Sequence, residues 1–271
     1  MMLDDHRIAI RERGYLELLD LSLRVIRAHA APLAVAFLAG IGPFMLLNAW
    51  LLHGLAPRDI DSGAAAQYFW WMLVLAIWEI PLATAPATLY LGEALFSRRP
   101  EPRKVVARLA GSLPQLVLYQ VLLRGLFMLP VVTWPVFLTT RLYLSEIILL
   151  ERNAFRARSR QQVTTRRRAT TLHRGLGGEL FARWLGNGQI GLLLALSFWL
   201  STWFLADMLF GDAVSETAGC TFFYPLALWF AIAFFTVVRF LGYLDLRIRR
   251  EGWEVELLMR AERARWGRQP A

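Results

Sequence analysis

Residues 113–150 read LPQLVLYQVLLRGLFMLPVVTWPVFLTTRLYLSEIILL. How often this stretch crosses an apolar layer decides the fold. It has 38 residues, while a bilayer core of about 30 Å needs roughly 20 helical ones. Pro130, near its middle, lacks an amide hydrogen and disfavours helix in the residue before it. The stretch therefore reads as a hairpin, 113–129 going out and 131–150 coming back. Four other apolar blocks, 30–52, 67–91, 189–210 and 220–243, bring the expected crossings to six.

The connecting segments test that count. Segments 1–29, 92–112, 151–188 and the tail after residue 243 hold five, five, nine and seven Arg or Lys, 26 of the chain's 30. The alternate loops, 53–66 and 211–219, hold only Arg58, with four acids. This asymmetry is that of the positive-inside rule and puts both termini in the cytoplasm. A single long helix over 113–150 would place a basic loop outside and is rejected. A re-entrant hairpin that stops short of the far side satisfies the charges equally well. No cleavable signal precedes the first apolar run, which reads as a retained signal anchor.

Composition agrees. The chain is 56% hydrophobic yet carries a net charge of +9, against about 45–50% apolar for soluble domains. That pairing excludes a disordered chain, a disulfide scaffold and a soluble nucleic-acid binder. The single cysteine, Cys220, forms neither an internal disulfide nor a cysteine metal cluster. The expected fold is all-α: a polytopic bundle of six transmembrane helices over 30–244. A cytoplasmic amphipathic segment (1–29) and a cytoplasmic helical tail (245–271) flank it as interfacial helices. In 12–28, Arg13, Glu17, Asp20, Arg24 and Arg27 form one stripe and Leu16, Leu19, Leu23 and Ile26 another.

Charges inside apolar spans are the main functional signal. Glu79, in WEIPLATAP, stands mid-span, and Arg124 and Arg141 sit inside the third and fourth spans. An unpaired charge at that depth costs about 3 kcal/mol on insertion scales. Glu79 is therefore expected to pair with Arg124 or Arg141, either lining a polar cleft or fixing helix register. Pro81 and Pro86 free backbone carbonyls nearby. Glu146, Asp207 and Arg239 lie nearer span ends, where snorkelling accounts for them.

The four histidines stand apart, and HExxH, GxSxG, P-loop and CxxC motifs are absent. No metal or cofactor is implied. The glycine-rich HRGLGGEL at 173–180 reads as a flexible loop rather than a phosphate nest. Arg166, Arg167 and Arg168, with Arg156 and Arg160, form a cationic patch suited to anionic headgroups, worth about 1 kcal/mol per residue at an anionic leaflet. Nucleic acid is the less favoured partner.

Four segments carry a resemblance: YLELLDLSLRVIRAHAAPL (15–33), YLGEALFSRRPEPRKVVARL (90–109), RLYLSEIILLERNAFRARSR (141–160) and GYLDLRIRREGWEVELLMRAE (242–262). They resemble six-span bacterial proteins related to the membrane domain of glycerophosphoryl diester phosphodiesterases. The resemblance implies a helical domain in the bacterial inner membrane. Catalysis in those enzymes belongs to a separate soluble barrel, so phosphodiesterase activity is not carried over. The matching polar residues are Glu151 and Arg152 after span four, and Asp245, Arg247, Arg249, Arg250 and Glu251 after span six. Their spacing and shared side suggest an inner-face charge lock between those two spans.

The resulting expectation is a non-catalytic scaffold, lipid-interacting module or accessory subunit of a membrane complex. A transporter component built around Glu79 is the rival, and a membrane-embedded enzyme acting on lipid phosphates is the third reading. In a Cys220→Ser background, single cysteines at positions 62 and 215 should react with an impermeant thiol reagent from outside, and one at 159 only from inside. Outside labelling of position 159 would overturn the topology.

Overall fold

The computed structural model describes residues 14–95, 97, 100–125, 142–155, 162–211 and 215–251. Regular structure among them is helical, apart from one isolated bridge between Ala154 and Thr164. In chain order these are α1 (Tyr15–Ala28), α2 (Ala30–Leu51), α3 (Gly63–Ala83), α4 (Ala85–Ala94) and α5 (Pro102–Leu116). They are followed by α6 (Leu144–Glu146), α7 (Thr165–His173), α8 (Gly177–Phe210), α9 (Glu216–Ala218) and α10 (Tyr224–Glu251). Three π-helical stretches extend them: Val117–Leu123 after α5, Ile147–Glu151 after α6 and Gly219–Phe223 after α9.

Five helical segments are long and apolar enough to cross a membrane: Ala30–Leu51, Gly63–Ala94, Pro102–Leu123, Gly177–Phe210 and Glu216–Arg250. Residues 126–141, which hold the expected turn of the hairpin and Arg141, lie outside the described residues, as does the tail from Gly252. The described end of the expected fourth span, α6 with its π stretch, is buried throughout except at its last two residues.

Two boundaries differ from the apolar blocks for a physical reason. The third helix begins at Pro102 rather than 113, because 102–112 is amphipathic and packs Val105 and Leu109 on the core. The fifth begins at Gly177 rather than 189, and its 34 residues measure about 51 Å at 1.5 Å each. Its early turns carry Glu179 and Arg183. The loop expected over 151–188 therefore contains α7 and the start of α8. HRGLGGEL is the turn between them: Gly175 has φ +79, and the Leu176 amide donates to the His173 carbonyl at 3.2 Å.

α10 is the central element, in contact with α8, α1, α3, α4, α2 and α7. Val237 and Tyr243, on its axis, are fully buried. α8 contrasts with it: Leu193, Leu200, Phe204, Met208 and Leu209 all point outward. An apolar outer face around buried polar groups suits a lipid solvent. α1 lies against α10 and α2, burying Leu18, Leu21 and Val25 in one core with Leu33, Leu91, Val237 and Phe240. The buried stripe is displaced from the expected one: Leu16 and Leu23 are exposed beside it. Asp20 and Arg24, neighbours on the polar stripe, form an ion pair at 2.8 Å.

The tightest crossing is α2 on the α3–α4 segment. A Cβ at Gly40 would collide with the Ala83 carbonyl oxygen, whereas one at Gly42 meets nothing within 4 Å. Gly40→Ala is accordingly expected to destabilise the protein by about 1–3 kcal/mol through overpacking. Gly42→Ala, on the same helix, should be neutral or stabilising by up to about 1 kcal/mol from propensity. Unfolding of both variants in detergent checks the contrast, and equal effects would refute the close crossing.

Candidate functional site

The polar groups form an interior set and a set at one end of the bundle. In the interior, Glu79 accepts a hydrogen bond from Asn48 Nδ2 at 2.8 Å, across α2 and α3. Arg124 Nη2 donates to the Ile77 carbonyl at 3.0 Å. The expected Glu79–Arg124 pair is therefore not made. Residues two apart on a helix face different ways: Glu79 looks toward α2, while the turn at Ile77 and Trp78 looks toward the α5 extension. Arg141 lies outside the described residues.

Pro81 explains the place of Arg124. A helical proline removes the amide that would bond the carbonyl four residues earlier, here Ile77. The Arg124 guanidinium supplies that missing donor. The π stretch before it shifts the side-chain register, and beside it Trp78 Nε1 donates to the Val121 carbonyl at 3.1 Å. Arg124 thus completes the hydrogen bonding of a proline-broken helix.

Glu146 and Arg239 are not snorkelling residues. They pair at 2.8 and 3.0 Å, with the Glu146 side chain 2% exposed. This ties the α6 segment to the centre of α10.

At the end of the bundle where the α6 segment stops, Glu151 is a hub. Arg168 grips its carboxylate at 2.5 and 2.9 Å, Tyr243 donates at 2.7 Å and Asn153 at 2.9 Å. Arg247 Nε approaches to 3.8 Å. Burial alone would push this carboxyl up, but the bonds from Arg168, Tyr243 and Asn153 outweigh it and hold it below the ordinary glutamate value. Arg152 ends the helix in a left-handed conformation, φ 52. The Asn153 carbonyl then accepts from Gln115 and Thr165 at 3.0 and 3.2 Å, which docks the start of α7.

A second cluster faces α8. Asp245 bonds Arg183 at 3.0 Å and Arg249 at 3.1 Å, and Glu179 takes Arg249 at 2.7 Å and Arg183 at 2.9 Å. Arg250 donates to the Arg174 carbonyl. Of the expected lock residues, Glu151 and Arg247 meet between α6 and α10, while Asp245 and Arg249 join α10 to α8 instead. Arg152 is exposed, and no side-chain position is described for Glu251. His173 closes the assembly: it stacks on Tyr143, donates from Nδ1 to the Ala169 carbonyl at 2.7 Å and accepts from the Tyr143 amide. Burial pushes its imidazole below the ordinary histidine range.

Comparison with family models, curated proteins and solved structures finds no match.

The geometry splits the arginine triplet. Arg168 turns inward to Glu151, while Arg166 and Arg167 are exposed on the outer side of α7. Arg156 and Arg160 lie outside the described residues. Sequence reasoning missed Arg183, Glu179 and Tyr243. The pattern Glu179–Arg183, spaced by four with opposite signs, was the available signal. Arg168→Gln should destabilise the protein by about 2–3 kcal/mol, since it strips a buried carboxylate of its main donor. Arg166→Gln should change stability by less than about 0.5 kcal/mol. Chemical denaturation in detergent separates them, and equal losses would contradict the split.

Proposed function

We propose that this chain is a six-span protein of the bacterial cytoplasmic membrane with both termini in the cytoplasm, and that it acts without catalysis. In this reading it is a scaffold or accessory subunit of a membrane complex, held to anionic lipid at its inner face. Five apolar helices, the 26 basic residues in alternate segments and the resemblance to phosphodiesterase membrane domains support the topology. α1 serves as an interfacial helix in this reading; the tail from Gly252 lies outside the described residues. The outward Leu16 and Leu23 give α1 an apolar edge for the headgroup boundary.

The observation that carries the lipid reading is the presentation of Arg166 and Arg167. Arg168 and Thr165 fasten α7 to the bundle, so the two exposed guanidinium groups are held out on a fixed support. An arginine fork binds two phosphate oxygens at once, and a fixed support lowers the ordering cost of binding. The same fastening argues against a purely topogenic role, which needs charge but no docked helix.

The Arg166→Gln/Arg167→Gln protein should bind phosphatidylglycerol more weakly by about 2 kcal/mol at low salt, taking about 1 kcal/mol per residue, or roughly 30-fold. Native mass spectrometry of detergent-purified protein titrated with phosphatidylglycerol measures this. Zwitterionic phosphatidylcholine is the control. The difference should shrink as salt rises. Equal retention of phosphatidylglycerol by wild type and variant at every salt concentration would leave these arginines a topological role only.

A further inference from the structure

Asn48 and Glu79 meet inside the bundle, 1% and 8% exposed respectively. One hydrogen bond joins them, Asn48 Nδ2 to Glu79 Oε2 at 2.8 Å, and it leaves Asn48 Oδ1 buried with no donor. Among the described residues no cation pairs with Glu79. Its carboxyl thus faces a neutral amide across an apolar helix contact, and the atom of that amide lacking a partner is an acceptor.

An ionised carboxylate in this setting is the unfavourable form. It is stabilised by a single neutral donor, and the same amide carries a further buried acceptor that has no donor. A protonated carboxyl is neutral, and its O–H is the donor that Asn48 Oδ1 lacks. With the proton on Oε1, acid and amide close a reciprocal pair, Nδ2–H to Oε2 and Oε1–H to Oδ1. Every buried polar atom of both side chains then has a partner.

We propose that Glu79 and Asn48 form an intramembrane proton-binding site. The proton sits on Glu79, and its release sets two acceptors against each other and loosens the α2–α3 contact. Proton occupancy is thereby coupled to helix packing, as a proton-linked conformational change requires. The inference does not rest on lipid binding at α7.

Among the described residues, the elements packed on α3 bring no competing base to Glu79. α2 has no acidic or basic side chain. The turn after it carries His53, bonded to the Trp50 carbonyl at 2.8 Å. The α5 extension contributes Tyr119 and Arg124, the latter engaged at Ile77. α4 contributes Tyr90, bonded to His29, and Glu93, paired with Arg108. α10 contributes Tyr224, donating to the Phe69 carbonyl at 3.2 Å, Arg239, paired with Glu146, and beyond them Tyr243 and Asp245. On α3 itself Tyr68 is the other titratable group.

The test is infrared difference spectroscopy of the full chain in lipid nanodiscs across a pH series. The wild type should show the C=O stretch of a protonated carboxyl group that disappears at high pH. Glu79→Gln should lose that band. Asn48→Leu should keep it but move it to higher wavenumber, because the acid loses its amide partner, and this variant decides the matter if Glu79→Gln fails to fold. A spectrum without a Glu79-dependent acid band at any pH would overturn the proposal. So would an unshifted band in Asn48→Leu, or loss of the band on adding sodium at fixed pH, which would make the site one for a metal cation.

Discussion

The Glu151 carboxylate holds one end of the bundle together. It stands where the α6 segment, α7 and α10 converge, and it collects donors from all three parts of the chain. Charged acceptors with several well-placed donors are the strong case of hydrogen bonding. This one fixes the position of α7, the height of α10 and the loop that leaves the α6 segment through Arg152. The Asp245–Arg183–Glu179–Arg249 cluster repeats the principle toward α8. Together they convert a face rich in positive charge into an ordered surface, with some arginines spent on internal pairing and others left exposed.

Deeper in, the governing constraint is the backbone. In an apolar surrounding every carbonyl needs a donor, and the prolines and π stretches of this chain repeatedly break the helical supply. Side chains make good the shortage. Arg124 serves Ile77, Trp78 serves Val121 and Trp199 Nε1 serves Gly219 at 2.8 Å. The chain's many tryptophans thus act partly as hydrogen-bond donors to irregular helix, beyond their bulk and their affinity for interfaces.

The helical class and the apolar segments were legible from the sequence because hydropathy is a one-dimensional property and survives without knowledge of partners. Helix ends were less legible: 102–112 and 177–188 are too polar to register as span, yet they are helical because tertiary packing covers one face of each. Partner choice was the least legible. Glu79 and Arg124 had opposite signs and similar depth, which suggested a pair. Their separation follows from helix phase and from the open carbonyl that Pro81 creates at Ile77. Glu146 and Arg239, 93 residues apart, found each other although neither position marks the other in sequence. The triplet 166–168 looked uniform, but a helix turns by about 100° per residue, so its three arginines were bound to part company.

The open carbonyl at Ile77 has a consequence in time. Its donor arrives 47 residues later in the chain. During synthesis α2, α3 and α4 emerge as a unit whose kinked helix is still short of one hydrogen bond. The Ile77 carbonyl gains its side-chain donor only once the segment bearing Arg124 has docked beside Trp78. The proline and the arginine therefore make the third apolar helix the clasp of the first two: what one segment leaves open, a later one supplies.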